Sequence, residues 1–459
     1  MVPRALVACW SLAAFATLTA AARPVLAAGA VDTVAIEAAQ GLAQTPASSI
    51  VVAAPLLTDQ TAPRGEDLAL RIAALVAGRL GAGARVHGQT AQLATARAIA
   101  GRAAALVYVQ TELSKGDLRT TIDVYPSMAN AWERIRNPLP APAGHAFSSA
   151  KIDAEVRTFL APLVLEQATW HRARHDEGEV LAVGCGDADG DGGDEIVLVS
   201  RTRVAMGRVR GGKFVAEHTA PWTALSPRAA VPVREPLASA VVVPGAVDVG
   251  STERASLALT ADFVGHKPLL GVPAWGGDGL VCLGPEPSAG AFDGAAFDCA
   301  AQGKQRTAVP APRFDAFGAA NVVDASGGVH PVVAVREPSG KLKLRMGDSP
   351  GAPDGTYGSA LAVTDLDQDG SPEIATSVDG PEDAVNVWSW AGTGNELRGR
   401  IHLAAPGGVR AIAACPAEEH GQPAFVAVVG AEVWIVRAGG AGAAATRGEA
   451  AAGKPWGKK

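Results

Sequence analysis

Two stretches hold the residues best suited to chemistry. Asp187-Ala188-Asp189-Gly190-Asp191-Gly192-Gly193-Asp194-Glu195 and Asp365-Leu366-Asp367-Gln368-Asp369-Gly370-Ser371-Pro372-Glu373 share one plan. Each has acids at positions 1, 3, 5 and 9, glycine at 6 and isoleucine at 10 (Ile196, Ile374). Alternate acids in a tight loop point inward to one centre, and glycine at 6 supplies the positive φ of the turn. Carboxylates so gathered repel by about 3 kcal/mol per close pair at an effective dielectric near 20. A hard divalent cation with oxygen ligands relieves this, and a flexible loop suits Ca²⁺ better than Mg²⁺. The expected ligands are Asp187, Asp189, Asp191 and Glu195 with the Gly193 carbonyl, and Asp365, Asp367, Asp369 and Glu373 with the Ser371 carbonyl. That makes two calcium sites; the alternative is a pair of solvated acidic turns.

An EF-hand needs a bidentate glutamate at position 12, where Leu198 and Thr376 stand, and helices where strands follow. The spacing instead resembles the FG-GAP/VCBS repeats of integrin-alpha-type propellers, with glutamate in place of the usual aspartate at 9. The resemblance implies calcium bound between blade strands through positions 1, 3, 5, 7 and 9. It also implies a loop face that takes protein or glycan ligands.

The surrounding segments must hold these loops. Gly178–Phe214 runs Leu181-Ala182-Val183, acidic loop, Glu195–Val199, then the turn Gly211-Gly212-Lys213. Ser359–Trp390 repeats it with Leu361-Ala362-Val363, acidic loop, Glu373-Ile374-Ala375 and Val385–Trp388. Weaker echoes span Ala320–Leu344 and Arg410–Val436, and Ala240–Leu283 holds one or two more. Such units cannot bury their apolar faces alone, and radial packing solves this. Residues 175–437 are therefore expected to form a β-propeller of five to seven blades.

Upstream, residues 48–165 read as a small α/β layer domain, so the chain is multidomain, α/β plus all-β. Ile50–Ala53 is a strand, and Leu68, Ile72, Leu75, Val76 and Leu80 recur at helical spacing before Gly81. Leu106–Val109 and Leu118–Tyr125 form a hairpin across Lys115-Gly116-Asp117. Ser148 or Ser149 is expected to cap a helix burying Ile152, Val156, Phe159 and Leu160. Element order, the hairpin and Trp132 resemble the TolB-like N-terminal domain, which implies a place in a cell-envelope complex. Residues 28–47 are expected to be a flexible lead.

Arg4, the apolar run Ala5–Ala22 and the small-residue end at Val25-Leu26-Ala27 read as a secretory signal over residues 1–27. An uncleaved anchor is the alternative; Leu6-Val7-Ala8-Cys9 resembles a bacterial lipobox but precedes most of the apolar run. The mature chain is expected in the periplasm or outside the cell, with no transmembrane span. Four cysteines remain, none in a C-x-x-C pair, and an oxidising compartment favours two disulfides. Cys282 and Cys299 flank one loop and are the favoured pair. Closing a ring would bring Cys185 near Cys415, as a clasp or as two buried thiols. The 53 glycines and 31 prolines of the 459 residues demand many turns, and a net charge of −6 argues against a nucleic-acid partner. Residues 438–459 are expected to be a disordered tail.

Other candidates weaken on inspection. Gly347-Asp348-Ser349-Pro350-Gly351 matches G-x-S-x-G, but prolines follow where a nucleophile elbow needs a helix, so a turn between blades is expected. His171 and His175 would share a helical face without an H-E-x-x-H motif. Trp388, Trp390 and Trp434 read as packing residues. The expected function is a non-catalytic binding or scaffold module. The alternative is a secreted propeller enzyme acting on polysaccharide, a lyase or hydrolase.

Overall fold

The computed structural model describes residues 29–440 except 43–47, 59–61, 102–104, 115, 128–131, 133–134, 136–140, 192, 227–229, 232, 278, 286–290, 300, 325–327 and 417–421. The expected signal segment and most of the expected tail lie outside the described residues.

The chain begins with α1 (Ala30–Gln40), β1 (Ser49–Ala53), β2 (Leu57–Thr58), α2 (Gly65–Leu80), β3 (Ala84–Val86) and α3 (Leu93–Ala100). It continues with β4 (Ala105–Ser114), β5 (Asp117–Tyr125), β6 (Gly144–Lys151) and a one-turn α4 (Ala154–Arg157). The sheet order is β3-β1-β4-β5-β6, with β2 on the end of β4. β1 is parallel to β3 and β4, whereas β4, β5 and β6 are antiparallel. Both faces of the central strands are buried, which accounts for their unbroken apolar runs. Val51, Ala53, Val107 and Val109 pack with α1 and α2. Val52, Ala54, Leu106 and Tyr108 pack with Ala96 and Ala100 of α3. α2 buries Leu68, Ile72 and Val76 in one stripe, carries Glu66 and Asp67 in its first turn and Arg79 in its last, and stops at Gly81, whose φ is +101°.

Two local expectations are corrected here. Part of the segment 28–47 is helical rather than a loose lead: α1 buries Val31, Val34, Ala35 and Ala38. Ser148 and Ser149 lie in β6, where the Ser148 hydroxyl donates to the Val34 carbonyl at 2.9 Å. The short helix is capped instead by Asp153, which accepts from Val156 N–H at 3.0 Å and from Ala30 N–H at 2.7 Å. One carboxylate thus ties the starts of two helices together.

β7 (Leu163–Arg174) opens a set of six four-stranded antiparallel blades. Four of them are separate sheets, and the first and the last are joined into one eight-stranded sheet by a single parallel pair, Lys213–Arg174. Blade 1 holds β8 (Val180–Gly186), β9 (Glu195–Ser200), β10 (Arg203–Arg210) and β11 (Lys213–Pro221), followed by α5 (Trp222–Leu225). Blade 2 holds β12 (Ala238–Val243), β13 (Ala246–Ser251), β14 (Arg254–Thr260) and β15 (His266–Pro268). Blade 3 holds β16 (Val272–Trp275), β17 (Leu280–Pro285), β18 (Phe292–Asp298) and β19 (Ala301–Phe314). Blade 4 holds β20 (Ala316–Val323), β21 (Val329–Arg336), β22 (Leu342–Met346) and β23 (Ser349–Gly351). Blade 5 holds β24 (Leu361–Thr364), β25 (Glu373–Thr376), β26 (Ala384–Trp390) and β27 (Leu397–Ala404). Blade 6 holds β28 (Val409–Cys415), β29 (Ala424–Val429) and β30 (Glu432–Gly440), and its outer strand is β7.

The six first strands touch in order, β8-β12-β16-β20-β24-β28, and β28 returns to β8. This is a closed six-bladed β-propeller, within the range expected. The closing strand β7 comes from ahead of the 175 boundary and pairs antiparallel with β30, so the ring is sealed by a strand from its own start. β30 reaches Gly440, so the last blade extends beyond the 438 boundary. His171 sits in β7 and His175 just after it, so they share no helix. Ser349 opens β23 after a tight turn at Gly347 inside blade 4, not between blades. Trp390 and Trp434 are fully buried packing residues.

Apolar clusters fill the seams between blades 6 and 1, 1 and 2, 3 and 4, 4 and 5, and 5 and 6. The seam between blades 2 and 3 differs. Val247 and Val249 of β13 pack toward blade 1, so strand alternation turns the buried Asp248 toward blade 3. The favoured pair Cys282–Cys299 is formed, and Cys185 and Cys415 form the clasp rather than two buried thiols. Cys185–Cys415 joins the inner strands of blades 1 and 6 with Cα atoms 4.9 Å apart. Cys282–Cys299 lies within blade 3, 5.0 Å apart.

Candidate metal centre

Both acidic loops connect the first and second strands of a blade, the first in blade 1 and the second in blade 5. They fold alike. The N–H at position 2 donates to the glutamate at position 9: Ala188 to Glu195 at 2.7 Å, and Leu366 to Glu373 at 2.8 Å. The backbone is left-handed at position 4, with Gly190 at φ +80° and Gln368 at φ +56°, and again at Gly370, φ +89°. Position 6 was legible as a turn glycine; position 4 was not, because Gln368 is not a residue that advertises positive φ.

The ligand atoms of Asp187, Asp189 and Glu195 lie within 4.8 Å of one another, and so do those of Asp365, Asp367 and Glu373. Positions 1, 3 and 9 therefore converge as expected. Position 5 does not join either group. Asp191 accepts from Gly193 N–H at 2.8 Å and Asp369 from Ser371 N–H at 2.7 Å, each bracing its own loop.

The two clusters differ in what neutralises them. In the first, the Arg208 guanidinium reaches Asp191 at 2.6 Å, Asp189 at 3.5 Å and the Gly193 carbonyl at 3.5 Å, and it contacts Glu195. Its hydrogen bond holds Asp191 below the ordinary carboxylate range. Burial pushes Glu195 up, opposed by the Ala188 N–H and by Arg208. Arg208 is placed by Gly207, which sits at a bulge so tight that a Cβ there would lie 2.0 Å from the Val215 carbonyl oxygen.

In the second cluster the acids are deeper. Glu373 is fully buried and Asp367 is 8% exposed. Burial, then the neighbouring charges of Asp369 and Asp367, pushes Asp365 up to about 7. Burial and Asp369 push Asp367 up to about 6. Burial and Asp367 raise Glu373 well above its usual range. Asp367 Oδ1 is buried without a hydrogen-bond partner. Two cations stand nearby: Arg400 favours the ionised form of Asp367 but bonds to Glu166, and Arg157 feels Asp365 while donating to Gln368. An orphaned carboxylate oxygen among three converging acids fits an oxygen-ligated divalent cation.

Neither Arg208 nor Arg157 emerged from the sequence reading. Arg208 had a readable signal: it sits on the third strand, one step beyond the pair Gly207–Ile196, beside acid 9. Arg157 had none, because it arrives from 208 positions upstream of the acid it faces. A further Cys185, Asp194 and Cys415 grouping is no metal set, since both sulfurs are in the disulfide.

The ring also encloses an axial channel. At the end bearing the acidic loops, a cavity of about 550 Å³ is lined by Val183, Val242, Trp275, Asn321, Thr364 and Ile412, one residue from each blade. The opposite mouth, about 670 Å³, is charged, with Glu179, Arg201, Asp315, Arg336, Asp379 and Arg410. Asp315 pairs with Arg336 at 2.6 Å, and burial raises it despite that partner.

No protein-family model matches the chain, and no curated protein matches it in sequence. Among solved structures, it is similar to the Cps50 (Swd1) β-propeller domain of Myceliophteria thermophila, with 9% identity over 71% of this chain and 95% of that one, TM-score 0.33. It is also similar to AofleA of Arthrobotrys oligospora, with 11% identity over 59% and 93%, TM-score 0.35. The strand order and the closed ring, rather than these distant likenesses, establish the propeller.

Proposed function

We propose that this chain is an exported, calcium-stabilised β-propeller of the FG-GAP/VCBS type, acting as a non-catalytic binding or scaffold module for a protein or glycan. The observation that carries the calcium reading is the buried, unpartnered Asp367 Oδ1 converging with Asp365 and Glu373. Calcium there would be held by these three acids, and it would supply charge neutralisation that fixes the loop between β24 and β25. Two disulfides support the reading of an oxidising compartment. No described helix is long and apolar enough to cross a membrane. The first sheet with its helices is proposed to be a TolB-like domain, which would place the protein in a cell-envelope complex.

Thermal melts of the full chain in millimolar calcium and in chelator test this reading. Calcium should raise the melting temperature, and Asp367→Ala should remove the gain. Identical curves would refute it.

Asp315 favours the second reading, a polysaccharide-acting enzyme, because it is a carboxyl raised by burial at the channel mouth. Its bond to Arg336 fits a structural ion pair better than a general acid. Polysaccharide cleavage lost in Asp315→Asn would reverse that preference.

A further inference from the structure

We infer that the chain binds one calcium ion rather than two, because Arg208 is the resident cation of the loop 187–195. The inference rests on the calcium reading of the loop 365–373.

The two loops share their acid positions, their position 2 to position 9 hydrogen bond and their left-handed residue at position 4. The residue opposite the glutamate on the third strand differs in charge. In blade 5 the residue paired with Glu373 on the third strand is Ser389. In blade 1 the register Gly207–Ile196 puts Arg208 beside Glu195. Ser389 donates a hydroxyl to Glu373 at 2.8 Å and brings no charge. Arg208 brings a permanent positive charge on a planar fork.

That fork occupies the donor set a metal would need. It touches the side chains at positions 3, 5 and 9 and the carbonyl at position 7. A divalent ion entering this loop would have to displace a guanidinium in contact with four oxygens, and would then face its charge a few ångströms away. In the loop 365–373 the two nearby guanidinium groups bond to other residues, Arg400 to Glu166 and Arg157 to Gln368, and the buried Asp367 Oδ1 has no hydrogen-bond partner. The comparable buried oxygen of the first loop, Glu195 Oε1, is the one that Arg208 contacts. The first loop is thereby closed by the chain itself, and only the second depends on an ion from solution.

Calorimetric titration of the chelator-treated full chain with calcium chloride tests the assignment. The wild type should bind one equivalent. Asp189→Asn, an exposed change in the first loop, should leave that stoichiometry at one, and Asp367→Asn should reduce it to zero. Arg208→Gln should uncover a second equivalent, and Ser389→Arg should abolish the first. Two equivalents in the wild type, or loss of one in Asp189→Asn, would overturn the inference while leaving calcium binding intact. No binding to the wild type at all would instead remove the calcium reading on which it rests. If Arg208→Gln does not fold, the Asp189→Asn and Ser389→Arg titrations still decide.

Discussion

The Arg157 guanidinium donates a hydrogen bond to the side-chain oxygen of Gln368, joining α4 to the acidic loop of blade 5 across 211 positions of sequence. Both residues are 8% exposed. Burial lowers Arg157 to about 10, which still leaves it charged at neutral pH, and the negative charge of Asp365 supports it. A buried cation is tolerated only where partners replace its water. The contact therefore ties α4 to the acidic loop of blade 5.

Removing that cation should loosen the junction. Arg157→Ala is expected to cost about 1.5–3 kcal/mol, the scale of a hydrogen bond to a charged group. Calorimetry should then resolve two transitions where the wild type shows more overlap, and proteolysis should quicken between α4 and β7. An unchanged melting profile would show that the contact does not couple the two parts.

Chelation should act on blade 5. At millimolar calcium and a Kd on the order of 10⁻⁴ M, one site adds about 1.4 kcal/mol. For a chain of this size that corresponds to a shift of about 1.5 °C in melting temperature. Hydrogen exchange should quicken at residues 365–373 and spare residues 187–195. Equal acceleration in both loops would contradict the difference between them.

The seam between blades 2 and 3 should give the protein a pH dependence. Burial raises Asp248 from 3.8 to about 6, and its Oδ1 has no hydrogen-bond partner. A carboxyl raised on folding favours the native state fully below its unfolded pKa, and that contribution is lost as the pH climbs through its folded one. Stability should therefore fall by on the order of 2–3 kcal/mol between pH 4 and pH 7 on account of this residue. Asp248→Asn should be more stable than the wild type at pH 7.5, with the gap narrowing toward pH 4.5. Denaturant melts that give the same gap at both pH values would refute the assignment.

Ring closure should be partly covalent. Cys185–Cys415 spans 230 positions and links blade 1 to blade 6, in the same seam that β7 and β30 adjoin. Replacing both cysteines by serine should cost about 2–5 kcal/mol. Exchange protection should drop first in β8 and β28. If reduction leaves the melt of the wild type unaltered, β7 alone closes the ring.

The sequence by itself determined what local chemistry can determine. Repeated acids at positions 1, 3, 5 and 9 marked the loops. Short Val/Ala/Leu runs between turn residues marked the blades, and helical spacing marked α2. Ile152, Val156, Phe159 and Leu160 are buried as expected, but only Val156 lies in α4, which is far shorter than the pattern implied and is capped by Asp153 rather than by a serine. These features depend on neighbours within a few residues, so periodicity and spacing reveal them.

Tertiary structure alone decided how the loops are neutralised and how the ring ends. Arg208 lies on a different strand from the acids it serves, Arg157 in a helix ahead of the propeller, and β7 precedes the repeat it completes. α1 is held by Asp153 and Ser148, more than a hundred residues away. Charge pairing and strand pairing act through space, and folding alone makes positions that are remote along the chain close enough for either.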